Sequence, residues 1–366
     1  RNSNMSSETK TTTVKHREVT RALREELDSG VWKNGDRLPG EQDLARRFQV
    51  APMTLRQAIA TLVEDGVLLR IRGKGTFVVS SDSHEPEARS AVPLGLLFPQ
   101  DASRIDPYYF PEVLEGFQRG LEEQGYRATV YSGGVEESVQ VLPPGAAIAC
   151  LLFDEAQTQI VEGLRDKGYQ VLAINRYNGR RSIPCVRIDD AQGVEDAVDY
   201  LVSLGHERIG FICGPENNLD ANDRLRGFRS AVKRHGLKIA PEAGDGFNEA
   251  AGYTAAQEIL TSAQRPSAVI CASDLAALGV IKAARDCGLS IPRGLSVVGF
   301  GDFSVADYML PSLTTIRQRR SDLGVSAAKA LIQLSLENDT PGSVLTADLI
   351  IRESTATNVA LLAGAR

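Results

Sequence analysis

The chain has 366 residues, 42% hydrophobic and 24% charged, the composition of an ordinary globular protein with two or three domains. No apolar run reaches the ~18 residues of a membrane span, and the polar stretch Arg1–Lys10 has no apolar signal-peptide core; membrane and exported classes are excluded and a cytoplasmic protein is expected. The net charge of −6 hides an asymmetry, because Lys10–Ser80 holds 13 Lys/Arg against 9 Asp/Glu and leaves −10 on the rest. A basic head on an acidic body is the distribution of a modular nucleic-acid binder.

In chain order, Val14, Val19, Leu23 and Leu27 stand near helical spacing and predict an amphipathic helix over Val14–Leu27. Gly35–Pro39 is a turn into a short helix, Glu41–Phe48, and Gln49–Pro52 is the next turn. A third helix follows over Met53–Glu64, with Leu55, Ile59 and Leu62 facing inward and Thr54, Arg56 and Gln57 placed elsewhere. Asp65-Gly66 stops it. Val67–Arg70 and Gly75–Val79 predict two strands around the basic, glycine-rich tip Ile71-Arg72-Gly73-Lys74. Helix, helix, turn, helix and a two-stranded wing suit a reader of the major groove, which the third helix enters by its N-terminal side chains. Arg56 can bridge guanine O6 and N7, and Thr54 suits a phosphate or a thymine methyl. Arg72 and Lys74 can meet the DNA backbone, with Gly73 allowing close approach.

Ser80–Ser90 is polar, aperiodic and contains a proline, and predicts a linker. Beyond it, apolar runs alternate with amphipathic stretches: Pro93–Phe98 then Pro111–Gly125, Arg208–Cys213 then Asp220–His235, Ala268–Cys271 then Asp274–Cys287, and Leu295–Phe300. This alternation predicts βαβ units and parallel sheets, over enough chain for two doubly wound lobes. Such sheets bind ligands beyond the carboxyl ends of their strands. Polar and aromatic residues recur there: Tyr108 and Tyr109, Asn175 and Arg176, Arg224, Phe247, Ser273 and Asp274, and Asp302. The aromatic faces suit sugars or flat polar rings, and the convergent polar groups suit a pocket.

The motifs Leu38-Pro39-Gly40-Glu41, Thr54-Leu55-Arg56-Gln57-Ala58 and Gly73-Lys74-Gly75-Thr76-Phe77-Val78 resemble the winged-helix signature of the GntR family. By position, the resemblance implies DNA contacts from Lys15, Glu41, Met53, Thr54, Arg56, Arg72 and the wing backbone. Ala51-Pro52 stands where that family usually has Ser-Arg. The runs Leu201–Ile212, Arg224–Phe228, Ser273–Gly279, Leu295–Phe300 and Pro311–Ile316 resemble the LacI and periplasmic sugar-binding superfamily. That resemblance implies two Rossmann-like lobes joined by three crossovers, with an effector in the cleft and a dimer. It places Tyr108, Tyr109, Asn175, Arg176, Arg224, Phe247, Ser273, Asp274, Asp302 and Gln318 at the pocket. Gly301 stands where the family often has an Asp that holds sugar hydroxyls, and Asn175 replaces another. The whole resembles arabinose-type repressors, with a linker in place of the hinge helix of LacI relatives.

The expected organisation is therefore a winged helix-turn-helix at 12–80, a linker at 81–91, and a two-lobed effector-binding and dimerisation domain at 92–356. The expected function is a repressor of carbohydrate-utilisation genes whose grip on double-stranded operator DNA is set by a sugar-like effector. A neutral sugar ranks first; Arg176 and Arg224 leave an acidic or phosphorylated sugar as the alternative. A DNA reader fused to a pyridoxal-phosphate enzyme is the rival from another class. No cofactor-holding lysine pattern, G-x-x-x-x-G-K-[ST] or H-E-x-x-H supports it, so neither enzyme activity, cofactor nor metal is expected. The five cysteines form no C-x-x-C pair and read as structural thiols. His206, after Gly205, reads as a helix C-cap, and Val359–Arg366 is too short for a tetramerisation helix.

Overall fold

In the computed structural model, the described residues are 16, 18–27, 29–33, 35–65, 67–71, 75–78, 92–98, 108–132, 141–180, 182–237 and 241–358. Lys15, the wing tip Arg72-Gly73-Lys74, the linker, residues 99–107 and the C-terminal 359–366 lie outside them. The chain divides between Glu87 and Ala88, inside the predicted linker.

In the first unit, α1 (18–27), α2 (Glu41–Arg47) and α3 (Pro52–Glu64) precede β1 (Leu68–Ile71) and β2 (Gly75–Val78). Leu23 and Leu27 of α1, Leu44 of α2 and Leu55, Ile59 and Leu62 of α3 meet Leu38, Val67 and Val78 in one core. This is the amphipathic spacing expressed as packing. Pro52 takes the first position of α3, where its missing N–H costs nothing, while the N-cap Ala51 has no side-chain oxygen to offer the first turn. The wing pairs antiparallel, Leu68 opposite Val78 and Ile71 opposite Gly75, and Arg37 bridges to Phe77.

The second unit holds two six-stranded sheets. One lobe contains β3 (Leu94–Phe98), α4 (Tyr109–Glu122), β4 (Thr129–Ser132), β5 (Ala147–Leu151), α5 (Glu155–Asp166), β6 (Gln170–Ile174) and β7 (Cys185–Ile188). The chain then enters the other lobe through α6 (Asp190–Ser203), β8 (Ile209–Ile212), α7 (Leu219–Arg234), β9 (Glu242–Ala243), α8 (Glu249–Leu260) and β10 (Ala268–Cys271). That lobe continues with α9 (Asp274–Asp286), β11 (Ser296–Gly301), α10 (Val305–Tyr308) and β12 (Thr314–Arg317). It returns through α11 (Arg320–Glu337) to β13 (Ser343–Leu345), beside β7, and crosses once more to β14 (Asp348–Ile350), beside β12. Three crossovers thus join the lobes, at 188–190, 317–320 and 345–348. All pairings are parallel except β12 with β14. The strands β5, β8 and β10 are buried throughout, as sheets covered by helices on both faces require.

Close helix packing depends on glycine at a few points. A Cβ at Gly324 of α11 would overlap the Val113 carbonyl of α4, and one at Gly279 of α9 would overlap the Glu249 carbonyl of α8. After α6, Gly205 turns at φ +82, and the His206 N–H donates to the Leu201 carbonyl at 3.1 Å, closing the helix in a Schellman turn. The His206 ring is itself buried, against Ser267 Oγ at 2.8 Å and the Ala356 carbonyl at 3.1 Å. Cys150 and Cys271 are buried, Cys185 and Cys213 half-buried, and Cys287 is exposed at the end of α9; all are free thiols.

Candidate functional site

Two surfaces carry the sequence-predicted residues, one in each unit. On the first, α3 presents Met53, Arg56 and Gln57 outward, with Met53 63% exposed. Exposure of a large apolar side chain beside polar ones suits a groove-reading face. Thr54 differs from expectation: it is buried, at 4% exposure. It lies four and eight residues before Ala58 and Leu62, on the stripe that α3 turns to the core. The half-buried carboxylate of Glu41 accepts from Arg56 Nε at 3.0 Å and pairs with Arg70 of the wing. Glu41 therefore braces the arginine that was expected to read a base, and ties the recognition helix to the wing.

On the second unit, the carboxyl ends of the two parallel sheets face a common cleft, and the residues after β6, β7, β8, β10, β11 and β12 meet there. At its floor, beside two of the crossovers, Arg224 of α7 donates from Nε to Asp190 at 2.8 Å and from Nη1 to the Ala272 carbonyl at 2.6 Å. Its guanidinium lies 3.9 Å from the ring centroid of Phe300 and 5.4 Å from that of Phe247, a cation held against aromatic faces. Gln318, from the second crossover, also donates to Asp190, at 3.1 Å. From the other lobe, Arg176 reaches Asp223 at 3.0 Å, and its backbone N–H donates to Asp220 at 3.3 Å. Tyr109 is buried and donates to Asn175 Oδ1 at 2.5 Å, while Asn175 Nδ2 donates to the Leu152 carbonyl at 2.9 Å. Asn175 sits at φ +72, a left-handed turn that asparagine tolerates. Tyr108 stacks on Phe303 of the opposite lobe, ring centroids 5.0 Å apart. The lobes also touch where Leu219 donates to the Phe153 carbonyl and Asp154 bridges Asn218.

Burial shapes the acidity of this floor. Asp190 is pushed above the ordinary carboxylate range by burial, with Arg224 pulling the other way. Asp220 is pushed up to about 7 by burial and then by the nearby charge of Asp190. The site thus sets three carboxylates, Asp190, Asp220 and Asp223, against the guanidiniums of Arg176 and Arg224, and Asp220 is the one with no guanidinium on it among the described residues.

Three expected pocket residues are turned elsewhere. Asp274 is fully buried, accepting from Phe303 N–H at 2.7 Å and from Thr315 Oγ1 at 2.5 Å; burial pushes it up to about 6. Ser273 caps α9 by accepting from Ala276 N–H at 3.0 Å and donates to the Phe247 carbonyl. Both follow from their place at a helix N-terminus, where these side chains close the first turn and the strand end above it. Asp302, at φ +54 after Gly301 at φ +129, has both oxygens engaged, by Arg317 at 2.6 Å and Arg352 at 2.7 Å. In their place the sequence reading missed Asp190, Asp220 and Asp223. The available signal was the position of Asp190 just after β7 and the placement of Asp220 and Asp223 at the start of α7, next to Arg224. No group of three or more His, Cys, Asp or Glu side chains able to hold a metal ion occurs among the described residues. Among them, no helix is long and apolar enough to cross a membrane.

Residues 15–78 match the model of the bacterial regulatory proteins of the gntR family, and residues 198–355 match that of the periplasmic binding protein-like domain. The chain is 32% identical over 355 residues to the arabinose metabolism transcriptional repressor of Geobacillus stearothermophilus, covering 89% of this chain and 93% of that one. It is 37% identical over 199 residues to the HTH-type transcriptional repressor CytR of Escherichia coli, covering 53% of this chain and 58% of that one. A LacI transcriptional regulator from Bacillus cereus subsp. cytotoxis superposes with a TM-score of 0.65 at 26% identity, covering 73% of this chain and 99% of that one. These relatives are transcriptional repressors and regulators, not enzymes.

Proposed function

Because the chain belongs to the GntR-type transcriptional repressors that carry a periplasmic-binding-protein-like effector domain, we propose that it represses carbohydrate-utilisation genes and that a neutral sugar-like effector in the cleft sets its operator affinity. The observation that carries the choice of effector is the charge balance of the floor: among the described residues each guanidinium there already has a carboxylate, and Asp220 has no guanidinium in contact with it. An acidic or phosphorylated sugar would meet a floor with no uncommitted positive charge among the described residues, at a desolvation cost. A hydroxylated neutral ring can donate to Asp220 and lay its apolar face on Phe247 or Tyr108.

Arg56, Met53 and Gln57 read base edges, Glu41 positions Arg56, and Lys15, Arg72, Gly73 and Lys74 serve the phosphates and the minor groove. Two copies related by a two-fold axis read two half-sites, in the cytoplasm where chromosomal DNA lies. Effector binding closes the lobes about the three crossovers and changes the geometry of the paired readers, a coupling of ~1–3 kcal/mol. The test is a thermal-shift panel of neutral sugars, sugar acids and sugar phosphates, followed by gel shifts on DNA upstream of the chain's own gene. A neutral sugar at 100 times its Kd adds ~2.7 kcal/mol of stability and shifts operator affinity several-fold, and Arg56→Ala weakens operator binding by ~1–3 kcal/mol. A sugar that saturates the cleft and leaves operator affinity unchanged removes the gating; stabilisation by sugar acids or phosphates alone removes the neutral effector.

A further inference from the structure

We propose that the second lobe carries another ligand site, for a small, multiply charged anion of phosphoryl or polycarboxylate type, at the end of its sheet opposite the cleft. A pocket of about 230 Å³ opens there, walled by His206, Arg208, Arg265, Ser267, Arg293 and Asn358. Arg208 immediately precedes β8, Ser267 precedes β10, and Arg293 lies just before β11. The pocket therefore sits at the amino ends of parallel strands, whereas the cleft lies at their carboxyl ends.

The distribution of charge points to an anion. Elsewhere in this lobe Arg224, Arg226, Arg229, Arg234, Arg317 and Arg352 are each ion-paired. Arg208, Arg265 and Arg293 are exposed, and their guanidinium groups have no carboxylate or hydrogen-bond partner among the described residues. Three guanidiniums around one opening repel each other, and an anion between them reverses that interaction. Their planar forks suit phosphoryl or carboxylate oxygens two at a time. The wall behind them is rigid, because the buried His206 ring is held from both nitrogens, and burial lowers its pKa so that it stays neutral. The positive charge is thus supplied by arginines, which keep it at every working pH.

The experiment is calorimetric titration of the full chain with inorganic pyrophosphate and, separately, with citrate. The variants are Arg208→Ala, Arg265→Ala and Arg293→Ala, with circular dichroism confirming that each folds. Saturable binding of either anion, one per chain, weakened at least about tenfold by each substitution, supports the site, and the preferred arm names its chemistry. Absence of saturable binding, or a Kd untouched by the three variants, overturns it, since the DNA-reading face or the cleft then accounts for any uptake. Arginine-dependent capture of polyglutamate without either small anion also overturns it, by making the face a protein-docking surface.

Discussion

Replacing Arg224 by Met leaves Asp190 at the cleft floor without its guanidinium. The two side chains are 8% and 3% exposed and 2.8 Å apart, and Arg224 also satisfies the Ala272 carbonyl and packs over Phe300. Gln318 remains as a neutral donor to Asp190. Breaking one side of such a buried pair costs ~3–5 kcal/mol, more than the ~0–1 kcal/mol of an exposed pair. The loss carries a pH signature. Burial already raises Asp190 above its ordinary value while Arg224 lowers it, so removing Arg224 raises it further. The folded variant then binds more protons than the unfolded chain above about pH 4, and its stability falls as pH rises. Urea unfolding at pH 5 and pH 8 should show a deficit larger at pH 8. Asp190→Asn combined with Arg224→Met should recover ~2 kcal/mol or more of it, because no uncompensated charge is then buried. A deficit below ~1 kcal/mol, one that does not change with pH, or a double variant no better than the single would refute the view of this pair as a buried, mutually dependent unit.

Asp220→Asn probes the neighbouring carboxyl. Its folded pKa of about 7 lies above the ordinary 3.8, so the wild-type group stabilises least once pH passes 7; the variant should show a higher Tm at pH 8, little change at pH 4, and weaker binding of a hydroxylated effector. In the wild type, effector affinity should rise with pH through about 7 as Asp220 ionises, read by calorimetry at pH 6 and 8. Gly279→Ala places a methyl on the Glu249 carbonyl of α8 and should cost ~1–3 kcal/mol by overpacking, read as a lower urea midpoint for the second unit. Ala51→Ser gives α3 the side-chain cap it lacks and should add ~1 kcal/mol to the first unit, measured by thermal unfolding.

The sequence by itself determined the modules. Helical spacing of Leu23, Leu44, Leu55, Ile59 and Leu62 and the glycine-bounded wing dictate the reader, since each apolar stripe has to be buried against the next. Alternating apolar runs and amphipathic stretches dictate parallel sheets, and the strand-end rule pointed to Arg176, Arg224 and Phe247, which meet at one cleft together with Gln318, a residue that only the family resemblance implied. Tertiary structure decided which way the side chains turn. Thr54 is one position from Leu55, and the helix's rotation against its neighbours puts it inside. Ser273, Asp274 and Asp302 stand at strand ends as predicted, yet their oxygens are taken by backbone N–H groups, a hydroxyl and two arginines from distant sequence. Asp190 and Asp220 look in sequence like ordinary acidic residues of a helix's first turn, which helix dipoles favour anywhere. Only the meeting of α6, α7 and the crossovers buries them together, and burial beside one another is what gives them their charge and their place in the site.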